Sequence, residues 1–268
     1  VEDREALSLG DKTLQFIFAP WVHWPETMFS YVPEDKLLFS CDLFGAHLSS
    51  SQLFASKNAN TVNEAKRYYA EIMMPFSGRI DKHLQTLQDF DIEMIAPSHG
   101  PVYDQPDQIL SAYKEWVSPA VKNEVIIPYV SMHGSTEKLV FTLVDLVTEK
   151  GIKVTPFNLI STDIGELALA LVDAATVILA SPAFLMGLHP NIVYAAYLMN
   201  SLKPKTRYVG LVGSFGWGNK MVAQVTDLLK DMNSEMLEPL LVKGMPRLEN
   251  DQEIKNLATL ISRRHSEI

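Results

Sequence analysis

The chain has 268 residues, 47% of them hydrophobic, and a formal net charge of −9. This length and composition allow two folded domains with sizeable cores rather than a disordered chain. The acidic balance without a basic cluster argues against nucleic acid binding, and no apolar run approaches the roughly 20 residues of a membrane span. A single cysteine, Cys41, excludes an intrachain disulfide and a cysteine-ligated metal cluster within the chain, and it favours a reducing cytoplasm.

Short strands and helices alternate in the first part of the chain. Apolar alternation predicts strands over residues 13–18, 27–32, 37–40 and 92–96, with a Pro- and Asp-containing turn at 33–36. Helical spacing predicts helices over residues 64–74, 78–89 and 107–116. We expect residues 1–118 to form one domain and residues 124–268 a second.

The second domain has a regular pattern of alternating elements. Strands are predicted at residues 125–127, 153–158, 177–180, 208–212 and near 240–242, and helices at 137–150, 164–172, 191–202, 220–232 and 252–265. Strands that alternate with helices of this length indicate an α/β fold, a doubly wound parallel sheet with helices on both faces.

Three of these predicted strands end in loops of small residues beside aromatic ones, at the edge where doubly wound sheets bind ligands. The first loop, residues 130–136, precedes a helix, and the unpaired N–H groups at a helix start stabilise a phosphate. Taken by itself, this loop is equally consistent with a phosphate site and with an ordinary turn. The simpler interpretation of the three loops is that they are ordinary turns with buried aromatic residues. Because three such loops follow one another, we favour a site that binds a flat ring system between aromatic side chains. The candidate residues are Ser131, Met132, His133, Gly134, Ser135, Thr136, then Ser181, Pro182, Ala183, Phe184, Gly187, then Ser214, Phe215, Gly216, Trp217 and Gly218.

These three loops resemble the flavodoxin domain of flavodiiron proteins over nearly the whole second half of the chain. The resemblance implies that the loops bind the FMN phosphate, ribityl chain and isoalloxazine ring, respectively. His133 stands where the family often has an aromatic residue, and Ala183 where it often has Thr.

In the first half, His23, Asp42 and His99 each lie at or just after the end of a predicted strand. Imidazole and carboxylate suit iron, manganese or zinc, although spacing alone favours hydrogen-bonded loop residues. The surrounding segments 22–25, 38–47, 68–77 and 96–100 resemble the second part of the metallo-β-lactamase-like domain of flavodiiron proteins. In that family His23 and His99 would be terminal ligands, and Asp42 would bridge two irons.

The family's remaining ligands come from a His-x-Glu-x-Asp-His motif, which these 268 residues lack. Either a missing N-terminal segment or second chain supplies them, or the iron site has been lost. We favour the first, because a lost site would leave three unused ligands and half a sandwich would expose a large apolar face. The expected fold is therefore a partial metallo-β-lactamase-like αββα domain followed by a flavodoxin-like domain, with an N-terminal lactamase-half polypeptide as partner.

The resemblance implies a cytoplasmic reductase of O2 or NO with FMN and two irons, in a head-to-tail dimer or tetramer. Rubredoxin or reduced coenzyme F420 would donate the electrons, and the sequence does not choose between these donors or substrates. The alternative is a flavodoxin-like FMN-binding electron carrier with a non-catalytic lactamase remnant. A metallohydrolase would use the first half only, and the loops of the second half count against it.

Overall fold

The computed structural model describes residues 1–268 and forms two compact units. The first unit is Val1–Ser118 and the second is Pro119–Ile268. None of the helices combines the length and the apolar character needed to cross a bilayer.

A five-stranded sheet forms the centre of the first unit. Its strands are adjacent in chain order: β1 (Ala6–Ser8), β2 (Thr13–Phe18), β3 (Met28–Val32), β4 (Leu37–Phe39) and β5 (Met94–Ala96). The first three pairings are antiparallel and β4 pairs with β5 in parallel. A 3-10 turn over Pro33–Asp35 joins β3 to β4, and Lys36 closes it with a φ of 50°.

Three helices belong to this unit: α1 (Thr61–Tyr68), α2 (Ser77–Thr86) and α3 (Pro106–Val117). The first continues into a π turn over Tyr69–Met73 and a 3-10 turn over Met74–Phe76. Pro75 lies in that second turn. Because proline has no backbone N–H, the regular helix is interrupted here before α2 begins.

The two faces of this sheet differ in burial. One face carries Ile17, Phe29, Leu38 and Ile95, each at most 1% exposed. On the other face Phe16 and Val32 are buried, but four large apolar side chains are open to solvent: Leu7 is 48%, Phe18 42%, Met28 37% and Phe39 44% exposed. The strand register shows that these four share a face, since Phe18 opposes Met28, Leu7 opposes Leu14, and Phe39 opposes Ser30, two residues after Met28. The sheet therefore has one packed face and one face with an uncovered apolar patch.

The second unit has a parallel sheet, as predicted. Its strands are β6 (Lys122–Tyr129), β7 (Lys153–Asn158), β8 (Ala174–Pro182), β9 (Tyr208–Phe215), β10 (Glu235–Met236) and β11 (Leu240–Lys243). The spatial order is β7-β6-β8-β9, and both β10 and β11 pair with β9. This is the flavodoxin-type order, in which the chain direction across the sheet reverses between β6 and β8.

Five helices alternate with these strands: α4 (Ser135–Thr148), α5 (Ile164–Leu171), α6 (Pro190–Leu202), α7 (Met221–Leu228) and α8 (Asp251–His265). All nine residues of β8 are buried, as expected for a central strand with helices on both faces. The carboxyl ends of the parallel strands lie at one edge of the sheet, and this edge holds the cofactor candidates.

Candidate metal site and cofactor cleft

The structure brings together the three predicted metal ligands of the first unit. His23 Nε2 lies 3.4 Å from Asp42 Oδ2, and His99 Nε2 lies 3.4 Å from Asp42 Oδ1. Each imidazole thus faces a different oxygen of one carboxylate. The Asp42 side chain is only 14% exposed, which limits its access to water.

The two distances between an imidazole nitrogen and an Asp42 oxygen are longer than direct hydrogen bonds. They are closer to the separation of two ligands that bind the same metal ion. An N–H···O bond has a donor–acceptor distance of about 2.7–3.2 Å. Two ligands with bonds of about 2.0–2.2 Å to one ion lie roughly 3.0–3.4 Å apart at ordinary coordination angles. No group of three or more His, Cys, Asp or Glu side chains in the chain is arranged to hold one ion. The three side chains are thus arranged as two imidazoles on either side of one carboxylate, a donor set that suits iron, manganese or zinc.

Two backbone hydrogen bonds connect the loops that carry these ligands. Ser98 N donates to Cys41 O at 2.7 Å, next to Asp42, and Ala46 N donates to His99 O at 3.1 Å. The loop after β4 and the loop after β5 are thereby held side by side. This follows from the parallel pairing of β4 with β5, whose carboxyl ends point the same way.

The Asp42 loop also has an unusual backbone that buried hydroxyl groups support. Cys41 and Phe44 have φ values of 51° and 69°, a region that side chains other than glycine rarely adopt. Ser40 Oγ donates to Leu43 O at 2.7 Å, and Tyr103 Oη donates to Phe44 O at 2.9 Å. Both hydrogen bonds are buried, so they hold the loop in its strained form.

Tyr68 is a neighbour of this site that the sequence interpretation did not single out. Its ring lies 4.7 Å from the His47 ring and 5.9 Å from the His99 ring, measured between centroids. A Cβ on Gly45 would lie 3.2 Å from the Tyr68 ring, so glycine makes room for the phenol there. Burial, and then the charge of Asp42, raise the pKa of Tyr68 and keep the phenol protonated.

In the second unit the loops after β6, β8, β9 and β11 line a cleft of about 250 Å³. The cleft lies where strand order reverses between β6 and β8, the expected ligand position in such a sheet. Its lining residues are Met132, His133, Ser135, Thr136, Pro182, Ala183, Ser214, Phe215, Gly216 and Gly244. Gly244 was not among the candidates, although it closely follows the last predicted strand.

One end of the cleft is suited to an anion. Helix α4 begins at Ser135, after Gly134 with a φ of 81°, and the N-cap Gly134 has no side chain to cap the N–H groups of Ser135 and Thr136. Thr136 is 1% exposed, and its hydroxyl lies 3.2 Å from the Ser214 hydroxyl. Ser131 does not line the cleft; its hydroxyl accepts a hydrogen bond from Glu137 N at 3.2 Å. Free amides and hydroxyls at a helix start are a favourable setting for phosphate.

The other candidates lie around the cleft rather than within its lining. Phe184, 38% exposed, exchanges two backbone hydrogen bonds of 2.9 Å with Gly187. Trp217 is 92% exposed, and Gly218 follows it in the same loop. Ser181 is fully buried: its hydroxyl donates to Pro182 O at 2.9 Å and accepts from the backbone N–H of residue 189. Ser181 therefore supports the loop from inside the fold.

Known proteins are similar to this chain over both units. Residues 1–100 match the family model described as ODP family beta lactamase. A nitric oxide reductase of Moorella thermoacetica is 36% identical over 98% of this chain and 68% of its own length. The structure of rubredoxin oxygen:oxidoreductase from the anaerobe Desulfovibrio gigas matches with a TM-score of 0.95 and 28% identity, over 100% of this chain and 69% of that one.

The structure of the flavodiiron protein from Giardia intestinalis matches with a TM-score of 0.92 and 27% identity, over 100% of this chain and 68% of that one. The chain thus spans about two thirds of the length of these relatives.

Proposed function

Since this chain belongs to the flavodiiron protein family, a family of oxidoreductases, we propose that it forms the FMN-binding part and half of the diiron site of an O2 or NO reductase. The observation that carries this proposal is the carboxylate of Asp42 placed between two imidazoles, each 3.4 Å from a different oxygen.

The cleft residues divide into a phosphate end and a ring end. The N–H groups and hydroxyls of Ser135 and Thr136 at the start of α4 would hold the FMN phosphate. Phe184 and Trp217, which are 38% and 92% exposed near the cleft, would border the isoalloxazine ring.

In the first unit His23 and His99 would act as terminal iron ligands, and Asp42 would be the bridging ligand. Its low exposure means that the carboxylate is already withdrawn from water, so little further desolvation is needed to bind metal. When bound, FMN would supply electron transfer and the two irons would supply the centre at which O2 or NO is reduced. The protein holds the donors in place through the Asp42 loop and its buried hydroxyls.

We assign the remaining ligands to the lactamase half that carries His-x-Glu-x-Asp-His, supplied by an N-terminal segment or by a second polypeptide. The uncovered sheet face of the first unit supports this assignment, since Leu7, Phe18, Met28 and Phe39 are 37–48% exposed. A sheet packed there would bury this patch and complete a sandwich. It would also bring further donors towards a carboxylate that has only two imidazole neighbours.

Electrons for the reaction would come from rubredoxin or reduced coenzyme F420, and the assembly would be a head-to-tail dimer or tetramer. The name of the Desulfovibrio relative supports rubredoxin as a donor class. The alternative is an electron carrier that binds FMN and no iron.

Titration of FMN into the full chain, followed by quenching of flavin fluorescence, tests the cofactor part of this proposal. Thr136→Val removes a charge-assisted hydrogen bond and is expected to weaken binding by about 1–3 kcal/mol. Thr142→Val is the matched control on the same helix, because the Thr142 hydroxyl donates to Lys138 O rather than to the cleft. Absence of flavin binding, or equal effects of the two substitutions, would contradict the cleft assignment.

A further inference from the structure

The three loops that carry the candidate metal ligands are held in two different ways. The loops of Asp42 and His99 are joined to each other by two backbone hydrogen bonds. The loop of His23, residues 19–27, has backbone hydrogen bonds only within itself. We call this segment the His23 loop. Its place relative to the other two ligands therefore depends on side-chain contacts.

Helix α2 supplies such contacts. His83 Nε2 lies 3.4 Å from Pro20 O, and because a carbonyl oxygen can only accept, the ring donates a long hydrogen bond to it. Four residues earlier on the same helix face, the Arg79 guanidinium lies 5.5 Å from the centre of the Trp21 ring, within the range of a cation–π contact. One face of α2 thus contacts the segment directly before His23 twice.

The surroundings of His83 fix its ring for this contact. The ring packs edge-on against Phe29, with 6.3 Å between the centroids, and Phe29 is itself 1% exposed. Burial lowers the pKa of His83 more than the hydrogen bond to Pro20 raises it, so the ring is neutral near pH 7. A neutral imidazole has a single N–H, and here Pro20 O accepts it.

The same helical segment also contacts the other side of the site. Helix α1, the π turn and the 3-10 turn lead directly into α2, so residues 61–86 form one bent helix. Near its middle, the Tyr68 ring lies 5.9 Å from the His99 ring. Through α2 the bent helix contacts the His23 loop, and it therefore connects the loops of the two imidazole ligands.

We propose that Arg79 and His83 are positioning residues for the metal site, which hold His23 at the distance from Asp42 that a shared site requires. This inference rests on the proposed role of His23 as an iron ligand. Both side chains act through the His23 loop and not on the donor atoms. Because His23 and His99 face different oxygens of Asp42, they would bind different irons. Loss of the two contacts would therefore loosen one iron and leave the other in place.

Amide hydrogen exchange of the full chain, measured by NMR, tests the attachment of the His23 loop without metal. The reporter is the Trp21 amide, which donates to Trp24 O at 2.7 Å inside the loop. In Arg79→Gln with His83→Leu, this amide is expected to exchange about 10-fold faster. The Ala46 amide, which joins the other two ligand loops, should keep its rate. Equal acceleration at both amides, or at neither, would overturn the proposal.

Two further pairs of substitutions separate the contacts from the stability of the helix. Arg79→Lys with His83→Gln keeps a cation and an N–H donor, so it is expected to restore slow exchange at Trp21. Lys82→Gln with Gln85→Leu is the matched control, because it removes a cation and a hydrogen-bonding group that contacts Asp81 rather than the His23 loop. If the control accelerates exchange as much as the first pair, the stability of α2 governs the loop and the proposal is wrong.

Release of iron to a chelator, from the full chain reconstituted with the lactamase half, FMN and ferrous iron, tests the consequence for the metal site. In Arg79→Gln with His83→Leu, one of the two irons is expected to leave about 10-fold faster, while the other iron and the FMN are retained as in the wild type. Equal acceleration for both irons would overturn the assignment of the two contacts to His23. A wild-type assembly that binds no iron would overturn the proposed function and this inference together, whereas two irons released at wild-type rates from the variant would overturn this inference alone.

Discussion

Leu185 and Met186 form the turn of a two-residue hairpin between Phe184 and Gly187, which exchange two backbone hydrogen bonds. Replacing these two residues by asparagine and glycine should stabilise the protein. Leu185 and Met186 have positive φ values of 48° and 70°, and the left-handed region costs a residue with a side chain about 1–2 kcal/mol. In the variant Leu185→Asn with Met186→Gly, asparagine tolerates this region and glycine adopts it freely. The substitutions should therefore remove most of the strain.

The expected gain is smaller than the sum of the two strain energies. Leu185 is 89% exposed, so its loss costs almost no burial, whereas Met186 is 42% exposed and loses some packing. Glycine also raises the entropy of the unfolded chain, at a cost of about 0.5–1 kcal/mol. The net expected increase in the free energy of unfolding is about 1–2 kcal/mol.

Urea unfolding of the full chain, followed by circular dichroism, measures this gain as a higher midpoint at an unchanged slope. Leu248→Asn is the matched control, because Leu248 is 88% exposed and has an ordinary backbone. The control is expected to change stability by less than about 0.5 kcal/mol. If the hairpin variant is no more stable than the control, the hairpin is not strained and the argument from its backbone is wrong.

Two further substitutions test the packing and titration of the second unit. Gly213→Ala would place a Cβ 2.4 Å from Ser181 O, so we expect a loss of about 1–3 kcal/mol in thermal unfolding and distortion of the cleft; unchanged stability would contradict the close approach of β8 and β9. Burial lowers the pKa of His265, whose ring nitrogens lie 2.7 Å from Thr176 Oγ1 and from Asn123 Oδ1. The folded protein, in which His265 is neutral, therefore loses stability as the pH falls below the unfolded-state pKa of about 6.5. His265→Asn should make the free energy of unfolding depend less on pH in this range. An unaltered pH dependence would show that this histidine does not contribute.

Much of the fold follows from local patterns in the sequence. The alternation of apolar residues predicts the strand Thr13–Phe18, and the alternation of strands with helices predicts the strand Lys153–Asn158. Both strands have the predicted bounds in the structure. The strand predicted over residues 177–180 extends to Ala174–Pro182, because a strand buried on both faces has no alternation to mark its ends. The exposed strands Ala6–Ser8 and Glu235–Met236 went unpredicted, since short edge strands lack an apolar signal.

The candidate metal ligands and cleft residues could be predicted from sequence only where their position at the end of a strand determines their place in the fold. Parallel strands align their carboxyl ends, so strand-end residues such as His99 and Ala183 could be placed at functional edges from sequence alone. The contact of Tyr68 with the metal-site loop depends on helix packing across the unit, which no local pattern encodes. The positive φ values of Leu185 and Met186 run against the preference of both residues, so only the folded structure could show them.

The central claim is that one assembly holds both FMN and a pair of irons, with ligands shared between this chain and a complementing lactamase-half polypeptide. The most direct test is to reconstitute the full chain with that polypeptide, FMN and ferrous iron under anaerobic conditions, and to measure flavin and iron in the purified product. We expect near two irons for each FMN, with iron retained only when the second polypeptide is present and lowered by Asp42→Asn. A product that keeps its FMN but no iron would contradict the reductase assignment and would support the electron carrier instead.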